Sequence, residues 1–324
     1  VLPRPWPAFG TISGLSASLN TWRLQELGIG NDVHLIPFDL TELLNIQRCI
    51  ESIEPDELYN LAAQSFVKMS FEQPMITADI NAIGALRILE VIRTIHLKTK
   101  IYQASTSEMY GGIKEFCQDE CSMFYPRSPY AAAKLFAYWI MINYREAYNI
   151  FTVNGILFNH ESALRGMEFV TRKITLGLAK IKFGQQKVLE LGNMDAKRDW
   201  GYAGDFVEGM WLMLQQDKPD DYVLATGESH TVKEFVDIAA EKVGFDLAWE
   251  GEGPNAKGLD RRTGKVIVQV NPDFYRPSEV NFLLGNSQKA KEKLGWSPKV
   301  SFEKLVELMV EADLNRISDK RLVF

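Results

Sequence analysis

Residues 100–158 carry the pattern that decides the fold. Lys100-Ile-Tyr-Gln-Ala-Ser105 is a short run of β-branched, aromatic and small residues, and Phe151-Thr-Val-Asn-Gly-Ile-Leu-Phe158 is a second one. Between them, Pro129–Tyr148 has apolar residues at intervals of three and four, which is typical of an amphipathic helix. A strand, a helix and a strand in this order predict a parallel βαβ unit with buried strands.

The same alternation extends towards the N-terminus. Strands are predicted at Val33–Leu40 and Glu57–Ala62, and helices at Leu43–Ile53 and Pro74–Ile95. The fold class is therefore predicted as α/β, with a doubly wound parallel sheet over residues 1–160. In such sheets ligands bind beyond the carboxyl ends of the strands, so the residues that follow each strand are the first candidates for a site.

The second half of the chain, residues 161–324, has a looser pattern and is predicted to form mainly a smaller substrate-facing lobe, with segments that return to the first domain. Its predicted helices are Val170–Phe183, Asp205–Gln216, Thr231–Val243, Ser287–Leu294 and Ser301–Ile317, and its predicted strands are Lys187–Leu191, Tyr222–Thr226 and Lys265–Val270. Glu250–Gly264 is rich in glycine and charge and almost free of apolar residues, so we predict a surface excursion there.

The composition excludes several classes of protein. The 324 residues include 46% hydrophobic and 24% charged residues, which is typical of a globular protein with a sizeable core. The formal charge of −6 leaves no basic excess for binding nucleic acid. No apolar run approaches the roughly 20 residues of a membrane span. Three cysteines and a start without the layout of a signal peptide lead us to expect a reducing cytoplasm, with no disulfide framework and no metal site.

The residues that carry chemistry follow the predicted strand at Lys100–Ser105. Thr106, Ser107 and Glu108 come next, and Tyr130 and Lys134 lie four residues apart on one face of the following helix. A lysine ammonium beside a phenol favours the phenolate, so we expect Tyr130 to act as an acid/base group near neutral pH. The pair alone is also compatible with a plain helix surface, and its place after a strand end in an α/β pattern favours a site.

This combination resembles the extended short-chain dehydrogenase/reductases, whose nucleotide domain is Rossmann-like. Longer motifs are similar to the GDP-mannose 4,6-dehydratase family, and the similarity runs from about Ser16 to Ile317. These motifs are Asn60-Leu-Ala-Ala-Gln-Ser65, Ser70-Phe-Glu-Gln-Pro74, Tyr102–Glu108, Phe124-Tyr-Pro-Arg-Ser-Pro-Tyr130, Gly155–Ser162, Phe169–Thr175, Leu191-Gly-Asn193, Arg198-Asp-Trp-Gly201, Trp211–Gln216 and Tyr275-Arg-Pro-Ser-Glu279.

The resemblance implies a hydro-lyase that converts GDP-mannose into GDP-4-dehydro-6-deoxy-mannose with NADP as a recycled cofactor. In this reading Tyr130 removes the proton of the 4-hydroxyl group and Thr106 binds the same oxygen. Glu108 removes the C5 proton and helps to expel the C6 hydroxyl as water, and Ser107 assists this step. Lys134 holds the nicotinamide ribose. Glu108 is the discriminating residue, because a simple reductase needs no carboxylate base at C5.

The resemblance also implies the two sets of binding residues. The cofactor would contact Asp39, Leu40, Leu61, Ala62, Ala63, Gln64, Ser65, Tyr130, Lys134, Asn159, His160 and Arg165. The sugar nucleotide would contact Ser65, Glu108, Asn159, Val170, Lys173, Leu191, Gly192, Asn193, Arg198, Arg276 and Glu279. Cations in the second set suit a diphosphate, which is bound best by charge-assisted donors. Ser16–Arg23 resembles a loop that reaches a neighbouring subunit's cofactor, so we expect a homodimer or homotetramer.

One feature departs from the family pattern. A dinucleotide site of this kind needs a first strand, a glycine-rich turn and a helix N-terminus that meets the pyrophosphate. Gly10-Thr-Ile-Ser-Gly14 is the nearest candidate, but its spacing is wrong and no apolar strand precedes it. We therefore predict that the first βα unit is missing or altered within residues 1–15. Two alternatives stay open, namely an NADP-dependent sugar-nucleotide reductase or epimerase and a non-catalytic relative without cofactor.

Overall fold

The protein is described by a computed structural model over residues 7–12, 21–112, 117–274, 280 and 282–319. In the first half of the chain the elements are β1 (Ala8–Ile12), α1 (Trp22–Glu26), β2 (Val33–Pro37), α2 (Leu43–Ile53), β3 (Glu57–Asn60), α3 (Val67–Glu72), α4 (Pro74–Ala78), a π-helical turn (Asp79–Ile83), α5 (Gly84–Thr94), β4 (Lys100–Thr106), α6 (Pro129–Tyr148) and β5 (Thr152–Leu157).

The second half continues the numbering. Its elements are β6 (Asn159–Glu161), α7 (Val170–Lys182), β7 (Leu189–Leu191), β8 (Lys197–Arg198), β9 (Trp200–Tyr202), α8 (Ala203–Leu214), β10 (Tyr222–Leu224), β11 (His230–Thr231), α9 (Val232–Val243), β12 (Leu247–Glu250), β13 (Lys257–Asp260), β14 (Val266–Val270), α10 (Gln288–Leu294) and α11 (Phe302–Ser318). No helix in these described ranges is long and apolar enough to cross a membrane.

A four-stranded parallel sheet in the order β10-β5-β4-β3 forms the centre of the first domain. Helices α2, α5 and α6 pack through Ile46, Leu89 and Met141 into one buried cluster. Tyr102 of β4 and Val153 of β5 pack with α8 and α10 into another. Helices therefore accompany a parallel sheet in the alternating order of a doubly wound fold, which confirms the predicted α/β class.

The N-terminal segment differs from its prediction. Residues Ala8–Ile12 form strand β1, which pairs in parallel with β2, and Gly10 lies opposite Leu35 inside this ribbon. Gly10, the start of the nearest candidate for a glycine-rich turn, is therefore extended, because Phe9, Thr11 and Ile12 favour extended backbone. In the described part of the chain, no strand joins the β1–β2 ribbon to the four-stranded sheet, so β3 is an edge strand.

The second lobe is built around the sheet β12-β13-β14-β7. Helices α7, α9 and α11 pack on one another and on this sheet through a large apolar cluster that includes Ile174, Phe235 and Leu305. The surface excursion predicted at Glu250–Gly264 is partly wrong, since Lys257–Asp260 forms β13 between β12 and β14. The polar sequence of β13 does not indicate a strand. The strand forms because its backbone groups pair with β12 on one side and β14 on the other.

Candidate active site

The first part of the candidate site is the end of strand β4. Thr106 is the last residue of the strand, and residues Ser107–Met109 form a single 3₁₀ turn directly after it. The Thr106 Oγ1 atom accepts a hydrogen bond from the Glu108 amide at 3.2 Å and so caps this turn. Ser107 is buried, whereas Glu108 is half-buried. The cap places the Thr106 hydroxyl and the Glu108 carboxylate together at the carboxyl edge of the sheet.

The second part is the first turn of α6. Ser128 caps the helix, because its Oγ atom accepts from the Ala131 amide at 3.1 Å, and Pro129 occupies the first helical position. Tyr130 and Lys134 then follow one turn apart. The Tyr130 hydroxyl is hydrogen-bonded to Thr106. The Lys134 Nζ atom donates to the Ala104 carbonyl at 2.9 Å and lies 6.0 Å from the centroid of the Tyr130 ring.

Burial dominates the electrostatics of these two groups. It raises the pKa of Tyr130 to about 12, and Glu108 adds to this rise, while Thr106 and Arg165 act in the opposite direction. It also lowers the pKa of Lys134 to about 8. The prediction that Lys134 lowers the pKa of Tyr130 is therefore wrong for this structure. The ammonium group is directed to the Ala104 carbonyl, and burial of the phenol is the largest cause of its raised pKa.

The third part is the short strand β6, which pairs with β9 and brings Asn159 and His160 to the same edge. The His160 Nδ1 atom lies 2.9 Å from the Phe158 carbonyl, so this nitrogen carries the proton in the neutral ring. Burial lowers the pKa of His160 to about 4. The Arg165 Nε atom lies 3.1 Å from Glu161 Oε2, and its guanidinium covers the Phe169 ring at 3.6 Å.

The loop 61–65 after β3 is held in place by a side chain from the π-helical turn. The buried Asn81 accepts from the Gln64 amide at 2.8 Å and donates to the Gln64 carbonyl at 3.0 Å. Leu61, Ala62 and Ser65 are exposed beside it, and Ala63 is half-buried. Backbone and small side chains are thus presented to a ligand, as predicted for a cofactor. Asn81 was not predicted from the sequence. The only feature of the sequence that indicates its role is an amide side chain on an otherwise apolar helix face.

Asp39 and Leu40 follow strand β2. The Asp39 Oδ1 atom accepts from the Thr41 amide at 2.9 Å and from the Thr41 hydroxyl at 2.8 Å, and these bonds lower the pKa of Asp39. Leu40 is buried against Gly84, so only its backbone remains for a ligand. The strand ends at Pro37, three residues earlier than predicted, because the Asp39–Thr41 turn takes the chain out of the ribbon.

Five of the predicted sugar-nucleotide residues lie at the end of β7 and in the first turn of α7, whereas Ser65 and Glu108 follow strands of the first sheet. The Lys173 Nζ atom lies 3.6 Å from the Phe274 ring, and the Leu191 carbonyl accepts from the Asn271 amide at 2.7 Å. A Cβ atom on Gly192 would lie 2.9 Å from the Phe274 carbonyl oxygen, so this position requires glycine. Val170 and Asn193 adjoin them, and Arg198 lies buried on β8. Arg276 and Glu279 lie outside the described residues.

The environment of Lys134 is the test of whether the site fits a nicotinamide cofactor. Lys134 is only 3% exposed, and the single hydrogen bond given above leaves further N–H donors of its ammonium group for a ligand. A buried cation with spare donors at the carboxyl end of a parallel sheet suits the hydroxyl groups of a ribose. Lys134 beside the Tyr130 ring therefore fits the cofactor, and the charge of Arg165 acts on both Tyr130 and His160.

Comparison with known proteins identifies the family. A family model described as GDP-mannose 4,6 dehydratase matches residues 7–309. The human GDP-mannose 4,6 dehydratase is 52% identical over 307 residues, which cover 92% of this chain and 82% of the human protein. The Drosophila melanogaster protein of the same name is 48% identical and covers 97% of this chain and 81% of that protein.

The solved structures agree in fold. The structure of RMD from Pseudomonas aeruginosa complexed with NADPH superposes with a TM-score of 0.76, at 21% identity, over 95% of this chain and 99% of that chain. This likeness shows that the fold is shared over nearly the whole chain. With the sequence matches over most of the chain, the conclusion is that the protein belongs to the GDP-mannose 4,6-dehydratase family.

Proposed function

We propose that the protein is an NADP-dependent GDP-mannose 4,6-dehydratase that releases water and GDP-4-dehydro-6-deoxy-mannose. The observation that carries this proposal is the carboxylate of Glu108, which follows Thr106 on a capped turn and acts electrostatically on Tyr130. A phenol and a carboxylate in one site can remove two different protons from the same sugar. A reductase or an epimerase of the same fold uses only the first of these groups.

The first half of the reaction belongs to Tyr130 and Thr106. Thr106 binds the 4-hydroxyl oxygen of the mannosyl ring, and Tyr130 takes the proton of this hydroxyl group as C4 is oxidised to a ketone. When bound, NADP⁺ supplies the hydride acceptor at C4 and, once reduced, the hydride donor at C6. Lys134 and Arg165 would hold the cofactor at this end of the site, and the positive charge of Arg165 favours the ionised form of Tyr130.

The second half belongs to Glu108. The 4-ketone makes the neighbouring C5–H bond acidic, and Glu108 takes this proton. The same carboxyl group then protonates the C6 hydroxyl, which leaves as water as a C5–C6 double bond forms. Ser107 stabilises the departing oxygen. Reduction at C6 and return of the proton from Tyr130 to C5 complete a net loss of one water molecule without net oxidation of the sugar.

The proposal is tested by incubating the protein with GDP-mannose and NADP⁺ and following the products by NMR. We expect a 4-keto-6-deoxy sugar nucleotide and no net change in the amount of NADPH. In a parallel incubation with NADPH in place of NADP⁺, stoichiometric consumption of NADPH with a reduced sugar would instead establish the reductase reading. Absence of both product and NADP binding would establish the non-catalytic reading.

We also propose that two copies of the chain associate through the outer face of α6. Phe136 and Trp139 are 41% and 54% exposed, and they border a shallow apolar groove together with Leu135 and Ile142. The face is self-complementary, since a two-fold axis across it would bring each bulky ring of one copy onto the groove of the other. Large exposed aromatic groups in a row of this kind mark an interface.

Replacing Trp139 by glutamate is expected to convert the dimer into monomers, because it places two buried charges across the two-fold axis. Sedimentation velocity of the purified protein measures this change. The matched control is Phe183→Glu, which alters a ring of similar exposure (46%) at the end of α7 and should leave the mass unchanged. An unaltered mass for the Trp139 variant would contradict the proposed interface.

A further inference from the structure

The three consecutive backbone carbonyls of the turn Ala163–Arg165 all accept hydrogen bonds from guanidinium groups. The Arg172 Nη1 atom donates to the Ala163 carbonyl at 2.9 Å and to the Arg165 carbonyl at 3.0 Å. The Arg23 Nε atom donates to the Leu164 carbonyl between them at 2.9 Å. A surface turn does not need charged donors at every carbonyl, since water satisfies exposed carbonyls at little cost. The arrangement indicates that the position of this turn matters.

Arg172 is itself anchored from the C-terminal helix. It is 1% exposed, and its Nε atom donates to Asp313 Oδ2 on α11 at 2.9 Å. Asp313 is fully buried and also accepts from Thr175 Oγ1 at 2.7 Å and from Arg316 Nη1 at 3.0 Å. A buried carboxylate is retained only where its oxygens are bonded in this way. The C-terminal helix is thereby connected, through one arginine, to the turn beside strand β6.

The turn carries Arg165, whose guanidinium lies between an acidic and an aromatic side chain. The Arg165 guanidinium is flanked by Glu161 at 3.1 Å and by the Phe169 ring at 3.6 Å. Glu161 is in turn held by Thr171, whose hydroxyl donates to Glu161 Oε2 at 2.6 Å. The charge of Arg165 is close enough to act on both Tyr130 and His160. Every contact that orients this guanidinium depends on where the turn 163–165 lies.

We propose that Arg172 is a positioning residue, which holds the turn 163–165 and thereby the Arg165 guanidinium beside Tyr130, and that Asp313 keeps Arg172 in this role. The inference rests on the proposed function, in which Tyr130 is the base that takes the 4-hydroxyl proton. Arginine is required because its planar fork bonds a carboxylate and two carbonyls at once, whereas lysine presents a single compact ammonium group.

The first test needs neither cofactor nor substrate. In Arg172→Lys the charge next to Asp313 is kept, but the two carbonyl bonds are lost. We expect the amides of Leu164 and Arg165, which donate to Ser162, to exchange with deuterium about tenfold faster than in the parent protein. The matched control is Arg316→Lys, since Arg316 also pairs with Asp313 but contacts none of the three carbonyls. This control should leave the exchange of the turn unchanged.

The second test uses the pH dependence of C4 oxidation in a single turnover. A positive charge beside Tyr130 favours the phenolate, so loss of its placement moves the acid limb of the profile to higher pH. For Arg172→Lys we expect a shift of about half a pH unit and a rate at neutral pH that is about threefold lower. The double variant with Arg165→Met should be no slower than Arg165→Met alone, because both changes remove the same effect.

The outcomes separate the inference from the proposed function. If Arg172→Lys and Arg316→Lys alter exchange and pH profile equally, Arg172 is only a structural ion-pair partner and the inference is overturned. If the parent protein makes no 4-keto product, the proposed function fails, while the exchange experiment still decides whether Arg172 holds the turn. Should Arg172→Lys not fold, Arg23→Met, which removes the Leu164 bond from an exposed side chain, must accelerate the same amides or the inference falls.

Discussion

Tyr130→Phe is expected to slow C4 oxidation by about 10³-fold, within the range found for loss of a general acid/base group. The change removes only the hydroxyl oxygen that is hydrogen-bonded to Thr106 and leaves the half-buried ring in place. Substrate binding should change little, because the phenol acts on a proton that moves only during the reaction. Stopped-flow measurement of NADPH formation after mixing with GDP-mannose reports this step directly.

The same prediction covers the pH dependence of the rate of C4 oxidation in the parent protein, on its acid side. Burial holds the pKa of Tyr130 near 12 in the protein without ligands, so the phenolate fraction and the rate should rise with pH. Tyr130→Phe should abolish this limb. Tyr148→Phe is the matched control, since it removes an exposed hydroxyl at the other end of α6. A Tyr130 variant that keeps the parent rate and limb would remove this residue from the proposed mechanism.

Glu108→Gln is expected to separate the two halves of the reaction. C4 oxidation should continue, since Tyr130 and Thr106 are intact, but removal of the C5 proton should slow by about 10³-fold because an amide is not a base. Reduced cofactor should therefore accumulate with the 4-keto sugar in the site instead of being consumed at once. In deuterated water, the parent enzyme should place deuterium at C5 and the variant should not.

The isosteric change from glutamate to glutamine keeps the size of the side chain, so folding is not the expected cause of failure. Glu51→Gln alters an exposed carboxylate of α2 in the same chemical manner and should behave like the parent protein. If Glu108→Gln still forms the 6-deoxy product at the parent rate, another group removes the C5 proton. If it fails already at C4 oxidation, Glu108 serves the first half of the reaction.

The elements of the first domain could be predicted where local signals are strong. Helix α6 begins and ends at its predicted residues, Pro129 and Tyr148, because Ser128 caps one end and Asn149 adopts the left-handed conformation at the other. The strand at Glu57–Ala62 is two residues shorter than predicted. Its end depends on Asn81, whose bonds to Gln64 follow from a π-helical turn that leaves no trace in the periodicity.

The chemistry could be predicted only as far as residue types and their spacing. Thr106 and Tyr130 meet as expected, since parallel strands and their following helices share one edge. The pKa of Tyr130 could not be predicted, because desolvation depends on burial that no local pattern encodes. The pairing of Arg172 with Asp313 could not be predicted either, because Asp313 lies 141 residues further along the chain.

Strand β3 has a consequence for handling the protein in solution. In the described part of the chain its outer edge lacks a neighbouring strand, so its backbone N–H and C=O groups offer a template to another molecule. The strand is only four residues long, and Glu57 places a carboxylate on it that accepts from Tyr59 and Gln215. Its short length and this charged side chain both disfavour edge-to-edge pairing, which protects the protein in concentrated solution.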